Sequence, residues 1–246
     1  MDYIIAENLL KKYGGGDAAV AAVDGISFQI KEGEFVAIMG ESGAGKSTLL
    51  GLLGAMNAPT AGRLIVDGID VYGLKPEQRA DFRREFLGFI FQSFHLVPYL
   101  TVIENVILPL AVVKIGNQKK RQMAAAALSQ VGLAEKGHRL PNQISGGESE
   151  RVAIARAIVN EPPVLLADEP TGNLDTKTTQ EVMELLRHLN EDGMTIIMVT
   201  HSPDCARYAQ RIMRVSDGKL VEDNSDESGH GAMPSAPQFC PSPTAP

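Results

Sequence analysis

The run Gly40-Glu41-Ser42-Gly43-Ala44-Gly45-Lys46-Ser47-Thr48 constrains this chain more than any other feature. It follows the apolar stretch Phe35-Val36-Ala37-Ile38-Met39 and opens into Leu49-Leu50-Gly51-Leu52-Leu53, so a strand, a glycine-rich loop and a helix succeed one another. The pattern GxxxxGK[ST] in that setting is a phosphate-binding loop. Bare backbone N–H groups wrap phosphate oxygens, and the helix N-terminus adds positive potential. On this reading Gly40, Ser42, Gly43, Gly45 and Thr48 belong to the phosphate cradle. Lys46 reaches the β and γ phosphates, and the Ser47 hydroxyl ligates Mg2+.

A second apolar run, Val164-Leu165-Leu166-Ala167, ends in Asp168-Glu169. A buried strand that delivers two carboxylates at its C-terminal end places them where open α/β sheets bind ligands. Beside a phosphate loop, Asp168 is expected to hold Mg2+ and Glu169 to orient and deprotonate an attacking water. Alone, an Asp-Glu pair is an ordinary turn.

The organisation around these motifs reads as α/β. Ile26–Ile30, Phe35–Met39 and Arg63–Val71, the last with an Asp67-Gly68 turn, have strand character. Val164–Ala167 and Thr195–Thr200 are too continuously apolar for half-exposed strands and are predicted to be central, covered on both faces. Between them Val182, Leu185, Leu186 and Leu189 form one helical face. From about Thr101 to Val159 strand signals vanish, and residues 101–113 and 118–133 read as helices, so a helical lobe, about 95–160, interrupts the core. Phe82, Phe86, Phe89, Phe91 and Phe94 crowd one window and are expected to lie mostly in the core. The folded domain is placed at 1–223. Residues 224–246, rich in Pro, Ser and Gly, are expected to form a disordered tail in which His230 has no paired ligand.

Composition narrows the function classes. A formal net charge of −7, much of it from Asp217, Glu222, Asp223, Asp226 and Glu227, argues against a general nucleic-acid binder. The longest apolar stretch, Val106–Val113 with Pro109 inside it, falls far short of the roughly 20 residues of a membrane span. No export signal is visible at Met1-Asp2-Tyr3, and Cys205 and Cys240 suggest no disulfide framework, so a cytoplasmic location is expected.

Upstream of the acidic strand stands Ile144-Ser145-Gly146-Gly147-Glu148, where Ser145 and Glu148 have capping-box spacing at the start of a helix carrying Val152, Ile154, Ala155 and Ile158. Two glycines in a first turn are poor helix formers, and they make sense if backbone N–H groups there meet an anion. At this point the sequence resembles the ATP-binding cassette (ABC) family, whose LSGGQ signature stands here as ISGGE. The other family motifs follow in order over about residues 3–222: Tyr13, Gln92 after a strand, Asn173-Leu174-Asp175, and His201 after Thr195–Thr200.

The resemblance implies a phosphate-loop (RecA-like) core sheet, an N-terminal antiparallel β subdomain and an inserted α-helical subdomain. It implies that Tyr13 stacks on adenine, and that two copies close head to tail in an ATP-dependent homodimer. Each ATP then lies between one copy's phosphate loop and the other's Ser145, Gly146 and Gly147. Glu169 becomes the general base, His201 contacts the γ-phosphate and the water, Gln92 links the metal site to the helical lobe, and Asp175 helps join the two sites. Glu148 departs from the more usual Gln, adding an acid that suits the helix dipole. An integral membrane permease is the implied partner, meeting Phe94, His95, Leu96, Val97, Pro98 and Tyr99, and would hold the chain at the inner face of the membrane. Residues 91–110 and Glu169–Asp175 look most like the lipoprotein-release, macrolide-export and cell-division branch. Signalling through a membrane partner without transport is the alternative, and a soluble non-transport ATPase a more distant one.

Overall fold

The computed structural model describes residues 2–14 and 19–224; the Pro/Ser/Gly-rich stretch from residue 225 onward, with His230 and Cys240, lies outside the described residues. Elements follow as β1 (Asp2–Tyr13), β2 (Val20–Lys31), β3 (Phe35–Met39), α1 (Lys46–Leu53), β4 (Ala61–Val66), β5 (Ile69–Asp70), α2 (Pro76–Phe86), β6 (Leu87–Ile90), α3 (Val102–Ile107), α4 (Asn117–Gln130), α5 (Gly146–Ile158), β7 (Val164–Asp168), α6 (Thr176–Glu191), β8 (Thr195–Thr200), α7 (Pro203–Ala206), β9 (Arg211–Ser216) and β10 (Lys219–Asp223). They form an antiparallel sheet of order β2-β1-β4-β5 and a second sheet of order β10-β9-β3-β8-β7-β6. In the second sheet β9, β3, β8, β7 and β6 run parallel, and β10 closes one edge antiparallel to β9.

Strand alternation assigns the two faces of the parallel sheet. Phe35, Ala37, Met39, Leu165, Ala167, Ile196 and Met198 join one core, together with Val106, Leu128, Val152, Ile154, Val182 and Leu186 from the helices. Their neighbours Val36, Ile38, Val164, Leu166, Ile197 and Val199 turn the other way, against α1 and against Ile4, Leu9, Ile26 and Leu64 of the antiparallel sheet. Successive side chains of a strand point to opposite faces, so a continuously apolar strand serves two cores at once. That is why β3 and β8 are buried at every residue, as expected of central strands.

Between β6 and β7 the chain makes α3, α4 and α5. The apolar run after Thr101 is shorter as a helix than its hydrophobicity suggested: α3 stops at Ile107, and Leu108–Val112 tighten into a 3₁₀ turn. Pro109 explains the break, because it lacks the N–H that would continue the α pattern. Fully buried Asn105 organises the preceding loop, its Oδ1 accepting from the Val97 N–H at 2.7 Å and its Nδ2 donating to the carbonyls of Leu100 and Thr101 at 3.0 Å. The phenylalanine window lies mostly in or against the core, as expected: Phe82 is buried in it, and half-buried Phe86 and Phe89 pack on it, while Phe91 and Phe94 are half-buried outside it. Phe82 stacks on Phe86 at 5.0 Å and Phe89 on Phe91 at 4.7 Å.

Candidate functional site

Parallel pairing brings the ends of four strands to one edge of the sheet. Met39 pairs with Thr200, Asp168 with Val199, and Ile90 with Ala167, so the loops that follow β3, β7, β8 and β6 emerge side by side. This is the carboxyl edge, where open α/β sheets bind ligands. The sequence-selected Gly40–Thr48, Asp168-Glu169, His201 and Gln92 all leave from it.

The phosphate loop turns into α1 at Gly45, whose φ of 96° is left-handed. A Cβ there would stand 2.0 Å from the Ala22 carbonyl oxygen, so both torsion and space demand glycine. Lys46 is buried, its ammonium donating to the carbonyls of Gly40 and Glu41 at 2.8 Å each. The loop is thereby curled around a cation. Ser42, Gly43 and Ser47 are exposed, while Gly40 and Thr48 are half-buried.

Across the cradle the Ser47 hydroxyl donates to Asp168 Oδ1 at 3.2 Å. Burial pushes the Asp168 carboxyl up, the hydroxyl of Ser47 pulls it back, and the neighbouring Glu169 charge raises it further. A hydroxyl and a carboxylate in contact are hard oxygen donors of the kind Mg2+ takes. Among the described residues no cluster of three or more His, Cys, Asp or Glu forms a ready-made metal cage.

Glu169 is the strained member of the site. Its φ is 49°, unusual for a residue with a Cβ, and its N–H is tied to the Val199 carbonyl at 2.9 Å. Its side chain is largely buried, and Oε1 lies 2.8 Å from Nδ1 of the exposed His201. Gln92 is exposed beyond β6; its carbonyl accepts from Asn173 Nδ2 at 3.0 Å, joining it to the Asn173-Leu174-Asp175 turn. Asp175 caps α6, accepting from the N–H groups of Lys177 and Thr178 at 3.1 Å and from the Thr178 hydroxyl at 2.6 Å. These bonds hold its carboxyl below the usual range.

Two further sequence-selected groups lie on other elements. Tyr13, at the end of β1, is 47% exposed, with the Lys11 ammonium 5.3 Å from its ring centroid. Ser145 caps α5, its hydroxyl accepting from the Glu148 N–H at 3.2 Å while Glu148 Oε2 accepts from the Ser145 N–H at 2.8 Å, which is the expected capping box. The glycines that follow differ in kind. A Cβ on Gly146 would meet only Leu174 Cδ2, at 4.0 Å, but a Cβ on Gly147 would sit 2.2 Å from Thr178 Cγ2. Close packing of α5 on α6 requires Gly147, and this requirement was not legible in the motif.

A family model for "ABC transporter" matches residues 23–172. Over 89% of its length the chain is 47% identical to the ABC transporter ATP-binding protein MJ1508 of Methanocaldococcus jannaschii, covering 98% of that protein. This chain belongs to the ABC transporter family. It is 44% identical, over its whole length, to the macrolide export ATP-binding/permease protein MacB of Syntrophobacter fumaroxidans, but spans only 34% of that relative. Among solved structures, the dimeric post-hydrolysis state of the ATP-binding cassette MJ0796 bound to ADP and Pi superposes with a TM-score of 0.82 at 41% identity, covering 89% of this chain and 97% of that one. As a member of that family this cassette is an ATPase, on the phosphate-loop fold with antiparallel β and helical additions that its sequence resembled.

One side chain that holds a segment of the site edge was not picked out from the sequence. Arg156, in the last turn of α5, donates to the carbonyls of Phe94 and His95, both at 2.7 Å, and so holds the segment beyond Gln92. Its signal was a cation set between Ala155 and Ala157 in the apolar second half of α5.

Proposed function

We propose that this cassette, residues 1–223, is the ATP-hydrolysing subunit of a membrane export or release complex, with Glu169 as general base. The observation that carries the chemistry is the Glu169–His201 contact at 2.8 Å, on the same sheet edge as the Ser47–Asp168 pair. Lys46 and the loop N–H groups bind the ATP phosphates and Tyr13 stacks on adenine. Ser47, Gln92 and Asp168 hold Mg2+, which when bound neutralises charge on the phosphates. Glu169 orients a water and takes its proton as the water oxygen bonds to the γ-phosphorus and the bond to ADP breaks; His201 fixes the carboxylate and contacts the γ-phosphate.

Two copies close head to tail, with Ser145, Gly146 and Gly147 of one facing the nucleotide of the other and Asp175 near the seam. Support comes from the dimeric MJ0796 cassettes, to which the chain is 41–42% identical. A permease is the proposed membrane partner, seated on Phe94–Tyr99. No described helix is long and apolar enough to cross a membrane. Tyr99 is 80% exposed, and Leu108 and Val112 nearby in the chain are exposed too, an apolar surface suited to a protein partner. Closure and reopening would drive the permease in the manner suggested by the MacB relatives.

The test is Glu169→Gln. ATP binding should persist while phosphate release slows at least about a hundredfold; unchanged turnover would remove Glu169 from the role.

A further inference from the structure

Two opposite charges meet at the start of α5 that the proposed reaction leaves without a role. Glu148 Oε1 lies 3.2 Å from Lys136 Nζ, while its other oxygen accepts from the Ser145 N–H. Lys136 ends a short 3₁₀ turn, Ala134–Lys136, and both side chains are mostly covered, at 33% and 25% exposure. The Ser145 N–H, and after it Lys136, hold the Glu148 carboxyl below its ordinary range, so it is anionic at neutral pH. The acid therefore occupies the same helical turn as Ser145 and Gly146.

A triphosphate brought to this turn by a second copy would meet a like charge at a few ångströms. Closure excludes water, and charges interact more strongly as the effective dielectric falls. An unneutralised Glu148 would then oppose the phosphates that the helix end attracts. We propose that Lys136 is a positioning residue for ATP-driven closure: by pairing with Glu148 it cancels the acid, so that the Ser145 end of α5 presents positive potential to the partner copy's nucleotide. This rests on the reading that Ser145 faces that nucleotide, and it adds a residue outside the signature motif to the closure machinery.

The experiment uses the Glu169→Gln chain, which should bind ATP without turning it over, and follows dimer formation by sedimentation velocity as ATP and Mg2+ are titrated. Lys136→Gln should raise the ATP concentration for half-maximal dimerisation roughly tenfold at low ionic strength, and less at high salt. Lys136→Arg should preserve the parent value. Glu148→Gln alone should lower the requirement, and Lys136→Gln combined with Glu148→Gln should return to within about twofold of the parent, a rescue that a merely structural lysine would not show. An unshifted Lys136→Gln titration, or a double variant as impaired as the single one, overturns the role. A parent that stays monomeric at every ATP concentration overturns the closure reading itself, and this inference with it.

Discussion

His201 Nδ1 and Glu169 Oε1 are 2.8 Å apart, bridging the ends of two adjacent parallel strands, and Glu169 holds a φ of 49° to make the contact. A left-handed residue with a Cβ costs about 1–3 kcal/mol and persists where its surroundings over-determine it. Here the Glu169 N–H is pinned to the Val199 carbonyl, which fixes the backbone that points its carboxylate at His201. His201→Ala should reduce phosphate release by about one to two orders of magnitude. Binding of a fluorescent ATP analogue, measured alongside, should change far less.

Gly147 is a packing glycine. Gly147→Ala puts a methyl 2.2 Å from Thr178 Cγ2 and should destabilise the fold by about 1–3 kcal/mol. Thr178→Ser removes that methyl and keeps the hydroxyl that donates to Asp175. The double variant should therefore recover most of the lost thermal midpoint in calorimetry. A midpoint unaffected by Gly147→Ala would show that α5 and α6 yield without cost.

Glu150 carries a pH dependence of stability. It is buried on α5, Oε1 finds no hydrogen-bond partner, and burial pushes its carboxyl up to about 8, against a lowering influence from Arg156. Its folded affinity for a proton exceeds the unfolded one, so the folded state binds more protons between the ordinary carboxylate range and about 8. Its contribution to stability is complete below that ordinary range and is lost as pH rises through about 8. Glu150→Gln should raise the midpoint by a few degrees at pH 8.5 and flatten the slope of stability against pH from 5 to 8.5. Denaturant titrations at four or five pH values measure both.

Arg156 ties the helix that begins at Ser145 to the carbonyls of Phe94 and His95. Hydrogen bonds from a charged donor contribute about 1.5–3 kcal/mol each. Arg156→Ala should speed amide hydrogen exchange in residues 94–100 by roughly tenfold or more, with β3 and β8 unchanged. It also removes the cation that favours ionised Glu150, so the pH at which Glu150 titrates should climb further. Equal exchange rates in that segment would show that Asn105 alone holds it.

The local chemistry was legible in the order of residues. The phosphate loop needs consecutive positions on one strand–loop–helix unit, the capping box needs Ser145 and Glu148 three apart, and unbroken apolar runs mark strands that serve two cores. Each is a short-range relation, which is why the family motifs and the α/β class could be read directly. Pro109 shortened a helix that hydrophobicity alone had lengthened. Three of the five clustered phenylalanines went in or against one core, but which ring stacks on which, Phe82 on Phe86 and Phe89 on Phe91, was set by packing.

Relations across distant elements were settled only by folding. The sheet order places β3 beside β8 and β8 beside β7, and so brings Glu169 to His201 and Ser47 to Asp168. Helix packing assigned Gly147 to Thr178, Arg156 to the carbonyls of Phe94 and His95, and Lys136 to Glu148. The residues themselves dictated which chemistry was present, because a phosphate loop and its acids act through their own atoms. Which charge neutralises which, and which glycine makes room for what, depended on the close packing of elements that no spacing along the chain encodes.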